Sequence, residues 1–230
     1  MRPVAVVHNS PITPAGRLLP ALERAGRPWL DVRPAEGEAY PDPVEVAGIV
    51  VLGGEMGAYD EWEFPHLIAE KAYLRRAVDG EAVVLGICLG AQLLADATGG
   101  RAFRAEVPEA GVVELSVSAG WRVDPVLGRL PPRVLAIHQD TFELPPGAEL
   151  LAESDRFPHA FRVGTGVGLQ FHPETPAGVV RSWVEDGADG VVIASGRSPA
   201  AFIAEVEAAE PELAAAGSAL FDRWVSGLPG

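Results

Sequence analysis

The stretch "AVVLGICLGAQLL" (Ala82–Leu94) joins an apolar run to a helix-like segment through a bend that holds the only cysteine of the chain, Cys88. The flanking Gly86 and Gly90 lack a Cβ, so a strand and a helix can approach each other closely at this bend. This is a G-x-C-x-G form of the nucleophile elbow, and the helix N-terminus that follows favours a thiolate. A buried structural cysteine also fits the pattern, so the bend alone leaves both interpretations open.

Outward from this stretch, short β-branched runs alternate with amphipathic segments. From residue 3 to residue 100 the order is strand, helix, strand, strand, helix, strand, helix. The runs do not alternate with polar residues, which is typical of parallel strands buried between two helix layers. From Arg101 to Gln170, shorter strands and turns predict a half that is richer in β-structure. We therefore predict an α/β fold, an α/β/α sandwich with a mostly parallel sheet, with residues 1–230 as a single domain.

The C-terminal part of the chain has a helical pattern. The segment "TPAGVVRSWVEDG" predicts a helix, "GVVIASG" is a weak strand-like run, and a helical extension is expected at about residues 198–227. Pro211 lies inside this extension and lacks the N–H of a helix interior, so two helices are expected there rather than one. Their apolar faces cover either the sheet of the same domain or a partner subunit, and packing on the chain's own core is favoured.

Composition excludes several classes of function. The 230 residues include 18 Lys and Arg and 32 Asp and Glu, a formal net charge of −14, which repels phosphate backbones and anionic lipid. We therefore expect neither nucleic acid nor a membrane as partner. The apolar run around Cys88 is shorter than the ~20 residues of a membrane-spanning helix. A single cysteine and the lack of a signal-peptide pattern suit a cytoplasmic protein. No phosphate loop or metal-ligand spacing is visible, so neither a cofactor nor a metal is expected.

A nucleophilic cysteine needs a base, and His172 has the most suggestive context of the five histidines. It stands in "GLQFHPET" at the end of an apolar strand-like run, where open α/β folds gather catalytic groups. Glu174, two positions later, can accept the other ring N–H and fix the tautomer. Cys88, His172 and Glu174 would then be nucleophile, base and orienting carboxylate. Taken alone, H-P-E fits an exposed loop histidine better, and the pairing with the elbow gives it weight.

Three segments together resemble the class I glutamine amidotransferases. "GICLGAQLLA" and "LQFHPE" resemble the two signature segments of that family, and "VVLGGEMGAYDE" resembles its glycine-rich loop after the third strand. The likeness covers about residues 45–180 and extends to stand-alone members and to the amidotransferase part of GMP synthase. It implies a flavodoxin-like fold that hydrolyses the γ-amide of glutamine through a γ-glutamyl thioester. The ammonia would go to a separate acceptor, and we expect a separate ammonia-accepting synthetase as partner.

The resemblance also implies roles for residues around the triad. The family holds the oxyanion with two backbone N–H groups, which fall here on Gly54 and Leu89. Gln92, one helical turn past Cys88, stands where the family's glutamine contacts the substrate. The alternative interpretations are an ordinary tight turn at Gly54 and a polar surface residue at Gln92.

Two departures from the family pattern bear on the substrate. Glu55 follows Gly54 where many members have a rigid proline nearby, and it brings a carboxylate next to the oxyanion loop. Gln139, in "AIHQDTFELP", replaces a glycine near the expected position of the substrate's α-amino and α-carboxylate groups. A His-Gln-Asp loop also resembles that of the family's γ-glutamyl peptidases, so a peptidase or hydrolase of γ-glutamyl conjugates is the alternative enzyme. His138 either lines the pocket or is structural. An inactive regulatory module is the third hypothesis.

Overall fold

The computed structural model describes all residues, Met1–Gly230, around an eight-stranded sheet. The strands of this sheet are β1 (Val4–Val7), β2 (Trp29–Val32), β3 (Gly48–Val51), β4 (Val84–Ile87), β6 (Ser116–Val117), β8 (Glu149–Glu153), β9 (Pro158–Val163) and β10 (Gly166–Leu169). Their order is β2-β1-β3-β4-β10-β9-β8-β6, with β2, β1, β3, β4 and β10 parallel and the remaining strands antiparallel. The prediction of a mostly parallel sheet is confirmed.

Helices cover both faces of the sheet. They are α1 (Leu18–Arg24), α2 (His66–Asp79), α3 (Leu89–Ala97), α4 (Ala119–Val123), α5 (Ala177–Trp183), α6 (Asp189–Ala194) and α7 (Pro199–Ser226). One apolar core joins the sheet to α1 and α7, and a second joins the opposite face to α2 and α3. These two cores make the three layers of the predicted α/β/α sandwich. None of the helices combines the length and the apolar composition that a membrane crossing requires.

Two long strands stand apart from the main sheet. β5 (Arg101–Glu114) and β7 (Arg133–Glu143) pair antiparallel and interrupt their register between Arg104 and Glu109. The half from Arg101 to Gln170 is rich in β-structure as expected, but these two strands are longer than expected, because they extend by pairing with each other. A third apolar core packs this pair, which we call the β5–β7 arm, against α5, α6 and α7.

The C-terminal segment corrects two expectations. α7 is one helix that runs through Pro211, not two. Proline removes one hydrogen bond, but buried residues on both sides, Val206, Ala209 and Leu213, continue the same packed face and hold the helix together. The run "GVVIASG" lies mainly in α6 and is helical, because a short β-branched run fits a buried helix as well as a strand.

The sheet order brings three loops to one edge. β3, β4 and β10 are adjacent and parallel, so their carboxyl ends lie side by side. Gly54 follows β3, Cys88 follows β4, and His172 follows β10. Such an edge is where open α/β sheets bind their ligands.

Candidate active site

The bend at Cys88 has the strained backbone that the two glycines predict. Cys88 has φ of 53° and ψ of −108°, a backbone conformation that residues other than glycine rarely adopt. A Cβ on Gly86 would lie 2.4 Å from the carbonyl oxygen of Gly90, and a Cβ on Gly90 would lie 2.2 Å from that of Val51. Only glycine therefore lets β4 turn into α3 so sharply at the cysteine.

The two expected oxyanion donors have free backbone N–H groups. Neither Gly54 N nor Leu89 N donates to any acceptor within the chain. Leu89 is the first residue of α3, where N–H groups have no partner in the helix. The hydroxyl of Thr13 donates to the carbonyl of Gly53 at 2.9 Å, which fixes the peptide plane that carries the Gly54 N–H. These donors stand ready for an acceptor supplied by a ligand.

His172 and Glu174 form a buried pair behind the cleft. Nδ1 of His172 lies 2.8 Å from Oε1 of Glu174, and the hydroxyl of Thr175 donates to the same oxygen at 2.8 Å. Because Nδ1 must donate to the carboxylate, Nε2 is the nitrogen left for chemistry, and it has no partner in the chain. The interpretation of His172 as an exposed loop residue does not hold, since only 5% of it is exposed.

The same glycine faces both the cysteine and the histidine. A Cβ added to Gly53 would lie 3.6 Å from Cβ of Cys88 and 3.6 Å from Cε1 of His172. Burial by itself lowers the pKa of His172, but the charges of Glu174 and Cys88 raise it well above its usual value. The arrangement therefore favours a protonated His172 at the same opening as the sulfur of Cys88, where the ring can donate a proton.

Contacts from distant parts of the chain support the loop that carries His172 and Glu174. The buried Arg17 donates to the carbonyl of Pro173 at 3.2 Å and to that of Thr175 at 2.6 Å. On the other side, a Cβ on Gly217 of α7 would lie 2.1 Å from the carbonyl oxygen of Pro173. The long C-terminal helix is thus packed directly against the loop of the histidine.

A cleft of about 450 Å³ opens above the thiol. Its lining brings together most of the residues that the sequence singles out, together with the α5–α6 connection. The lining residues are Ile12, Thr13, Gly54, Glu55, Met56, Cys88, Gln92, Ile137, His138, Gln139, Asp140, His172, Trp183, Asp186, Gly187, Ala188 and Val191. This volume suits a small-molecule ligand. Leu89 and Glu174 lie outside the lining; Leu89 offers its backbone N–H and Glu174 stands behind His172.

Two glutamines of the cleft differ in their bonding. The amide nitrogen of Gln92 donates to the carbonyl of Asp140 at 3.1 Å and to Oε1 of Gln170 at 3.3 Å. Gln92 is 3% exposed, so it is not a polar surface residue. Gln139 is half-buried and donates to the carbonyl of Ala105 at 3.0 Å, which ties it to the neighbouring strand. Each glutamine keeps its side-chain oxygen available to a ligand.

A second buried cluster lies beside the cleft, formed by Glu109, His138 and His159. Oε2 of Glu109 is 2.6 Å from Nε2 of His159 and 3.3 Å from Nε2 of His138, and the hydroxyl of Ser154 donates to Oε1. Their potential ligand atoms lie within 4.8 Å of one another, so this is the group that could hold a metal ion. The three side chains already bond to one another, and no metal is needed to explain their burial.

Several residues around the reactive groups were not found from the sequence. Thr13, Gln170 and Trp183 contact the reactive groups or their loops, and the ring of Trp183 meets that of His172 edge-on at 5.3 Å. Gln170 stands in the "QFHPE" segment, which could have drawn attention to it. Thr13 and Trp183 lie in no motif, and only the fold places them at the site.

These features define the chain as an α/β protein with a cysteine beside a histidine–carboxylate pair at the carboxyl edge of its sheet. The family model of class I glutamine amidotransferases matches residues 30–187. A glutamine-hydrolysing GMP synthase subunit from Haloarcula marismortui is 34% identical over 155 residues, which are 63% of this chain and 73% of that protein. The chain therefore belongs to the class I glutamine amidotransferase family.

Other relatives differ in the share of their own length that the chain covers. The glutamine amidotransferase-like protein YfeJ of Salmonella typhimurium is 29% identical over 216 residues, 90% of each chain. GMP synthase of Thermomicrobium roseum is 37% identical over 142 residues, 58% of this chain. The chain thus spans only 25% of the length of that larger protein.

Solved structures agree with the fold over nearly the whole chain. A glutamine amidotransferase from Methylobacillus flagellatus has a TM-score of 0.89 at 26% identity and covers 100% of this chain and 96% of its own. A glutamine amidotransferase from Thermotoga maritima has a TM-score of 0.85 at 27% identity and covers 98% of this chain and 99% of its own. The flavodoxin-like fold implied by the motifs is confirmed.

Proposed function

We propose that this chain hydrolyses the γ-amide of free glutamine through Cys88, His172 and Glu174, as one domain, and that a separate synthetase consumes the ammonia. The observation that carries the proposal is the shared opening of the Cys88 thiol and the unpartnered Nε2 of His172 into one cleft. Glu174 on Nδ1 sets the tautomer that leaves Nε2 for proton transfer.

Acylation follows from this geometry. The sulfur of Cys88 forms a bond to the amide carbon, and the carbonyl electron pair moves to oxygen. The free N–H groups of Gly54 and Leu89 receive this oxyanion. Nε2–H of His172 then protonates the departing nitrogen, the C–N bond breaks, and ammonia leaves a γ-glutamyl thioester.

Hydrolysis of the thioester reverses the proton path. His172, now neutral, takes a proton from water while the water oxygen attacks the thioester carbon. The same two N–H groups hold the second oxyanion, the C–S bond breaks, and the electron pair returns to sulfur. Glutamate leaves, and the thiolate and imidazolium are restored. Each step uses groups of the chain, with Glu174 keeping the ring oriented throughout.

The charges of the cleft favour glutamine over glutathione-type conjugates. The lining includes Glu55, Asp140 and Asp186 and contains neither lysine nor arginine. Both substrates carry the α-carboxylate of the γ-glutamyl part, but the leaving group of a glutathione-type conjugate adds a further carboxylate, which this cleft repels. Ammonia carries none. The free side-chain oxygens of Gln92 and Gln139 are acceptors for the substrate's ammonium group.

The proposed partner rests on the relatives. One is named as a subunit of GMP synthase, and another is a GMP synthase of which the chain spans a quarter. A separate chain that consumes ammonia would occupy the place of the remaining part.

The test is glutamate release by the purified chain, with glutamine and with γ-glutamyl peptides as competing substrates. We expect turnover of glutamine, loss of turnover in Cys88→Ser, and labelling of Cys88 by a diazoketone analogue of glutamine. Addition of cell extract tests whether a partner raises the rate. Turnover of γ-glutamyl peptides but not of glutamine, with or without extract, would show that the chain is a peptidase.

A further inference from the structure

Gln170 contacts the nucleophile directly. It follows β10 two residues before His172 and is completely buried. Its amide nitrogen lies 3.7 Å from Sγ of Cys88, a distance at which an N–H can donate to the large sulfur atom. Its backbone N–H is already bonded to the carbonyl of His159 at 2.9 Å. The side-chain amide is therefore the part of Gln170 that acts on the sulfur.

The orientation of this amide is determined by its neighbours. A backbone carbonyl can only accept, so Gln92 must present its nitrogen to the carbonyl of Asp140, 3.1 Å away. That nitrogen also donates to the oxygen of Gln170 at 3.3 Å. Turning the amide of Gln170 over would set two donors against each other and an oxygen against the sulfur. The donor of Gln170 thus faces Cys88.

The far end of this network is the second buried cluster. Nδ1 of His138 lies 2.9 Å from the same carbonyl of Asp140, and its Nε2 lies 3.3 Å from Glu109. The carbonyl and the carboxylate can only accept, and a neutral His138 donates through one ring nitrogen at a time. A continuous set of polar contacts joins Glu109 on the β5–β7 arm to the sulfur of Cys88 at the elbow.

We propose that Gln170 is a catalytic residue that donates a hydrogen bond to the sulfur of Cys88, with Gln92 as the positioning residue that orients it. This rests on the proposed function. When the S–C bond forms, negative charge moves from sulfur to the carbonyl oxygen. When the C–S bond of the thioester breaks, the electron pair returns to sulfur. The donor stabilises charge on sulfur before attack and at departure.

A pH profile of Cys88 alkylation by iodoacetamide tests the contact without any need for substrate binding. In Gln170→Met, which removes the donor and keeps an unbranched chain, the midpoint of the profile should rise by about one pH unit. Loss of a stabilising donor also makes the remaining thiolate more nucleophilic. Alkylation should therefore be about threefold slower below both midpoints and about threefold faster above both, so that the two profiles cross.

Three further variants separate this contact from general damage. Gln170→Glu keeps an oxygen for Gln92 but sets an acceptor against the sulfur, and its midpoint should rise further. Gln92→Met should shift the midpoint in the same direction by less. Thr141→Val, at a buried position of β7 without a bond to this network, should leave the profile unchanged. Thermal unfolding reports which variants are folded, and Gln170→Glu replaces Gln170→Met if the latter is not.

Crossed profiles support the proposal. An unchanged midpoint in a folded Gln170 variant, or an equal loss of rate at every pH, overturns it, because a merely structural residue would give one of those results. Failure of the proposed function is a different outcome. In that case iodoacetamide alkylates Cys88 with the expected profile, but glutamine is not hydrolysed and the glutamine analogue does not label the cysteine.

Discussion

Two buried histidine–carboxylate clusters lie beside one cleft and differ in their ratio of acids to histidines. In the first, one histidine, His172, lies between two acidic groups, Glu174 and Cys88. In the second, one carboxylate, Glu109, is shared by His138 and His159. All members of both clusters are buried, so burial alone does not distinguish them.

The ratio of acidic groups to histidines explains why the pKa of His172 is raised and that of His138 is lowered. Burial lowers the pKa of His172, but two negative neighbours overcome it and raise the pKa well above the usual value. Burial lowers the pKa of His138, and the single shared carboxylate does not overcome it. Burial alone would raise the pKa of Glu109, but hydrogen bonds from His138 and His159 hold it well below its usual range. One cluster therefore stores a proton on its histidine, and the other keeps a carboxylate charged.

Use of the ring nitrogens differs as well. Nε2 of His172 has no partner and lies at the cleft, whereas both nitrogens of His138 contact polar atoms, and Nδ1 of His159 has no partner but lies outside the cleft lining. A buried polar atom without a partner is costly unless a ligand completes it. The first cluster therefore presents a reactive nitrogen to a ligand, and the second holds the wall of the cleft in place.

The largest effect should come from the nucleophile of the first cluster. Cys88→Ser should lower glutamine hydrolysis by about 10³-fold or more, because a hydroxyl in place of the thiolate is a far weaker nucleophile at neutral pH. Steady-state glutamate release is the measurement. The melting temperature should change little, and a variant that keeps more than a tenth of the activity would remove Cys88 from the mechanism.

The next largest effect should appear when each of the two histidines is replaced by glutamine. His172→Gln should lower kcat by about 10³-fold, because no general acid would remain for ammonia. His138→Gln should change kcat by less than about tenfold and lower the free energy of unfolding by about 1–3 kcal/mol. Denaturant unfolding and kinetics on both variants are the measurement. Similar kinetic losses in the two variants would contradict the division of roles.

Substitution of the two carboxylates, Glu174 and Glu109, should separate catalysis from stability in the same way, with smaller losses of kcat. Glu174→Gln should lower kcat by about 10²-fold, since the amide no longer stabilises the imidazolium. Glu109→Gln should mainly lower stability, by about 1–3 kcal/mol, because it replaces a charged acceptor of buried donors. If Glu109→Gln instead lowers kcat as much as Glu174→Gln does, the second cluster takes part in chemistry.

The smallest expected effects are in the pH dependence of stability, and they have opposite signs. The pKa of His172 is raised by folding, so its contribution is present below the unfolded value of about 6.5 and is lost as pH rises through the folded value. The pKa of Glu109 is lowered, so its contribution is present above the unfolded value of about 4.3 and is lost as pH falls toward the folded value. Unfolding of His172→Gln and Glu109→Gln across pH measures both.

The free energy of unfolding of each variant should approach that of the wild type at one end of the pH range only. Glu109→Gln should approach wild-type stability in acid, and His172→Gln should approach it in alkali. A difference from the wild type that stays constant across pH would mean that the charge of that group does not contribute. NMR titration of His172, compared between wild type and Glu174→Gln, gives an independent reading of the same coupling.

The sequence determines the parts of this protein that depend on neighbours in the chain. Gly86 is required within the elbow itself, because a Cβ there would meet the carbonyl of Gly90, whereas Gly90 is required by the close approach of Val51 from the neighbouring β3. Glu174 pairs with His172 because they are two positions apart in one loop. The sequence predicts buried parallel strands because their apolar runs do not alternate with polar residues. The predictions at Pro211 and at "GVVIASG", and the predicted lengths of β5 and β7, were wrong where tertiary contacts outweighed local preference.

Only the tertiary structure decided which distant residues meet. Glu109, His138 and His159 come from β5, β7 and β9, and nothing in their spacing predicts a shared carboxylate. Gln170 reaches Cys88 because β10 lies beside β4 in the sheet. Strand order results from the packing of the whole core, whereas sequence periodicity reports only which face of each element is buried. The sequence therefore predicts the reactive groups, but only the tertiary structure shows the contacts that set their orientation and charge.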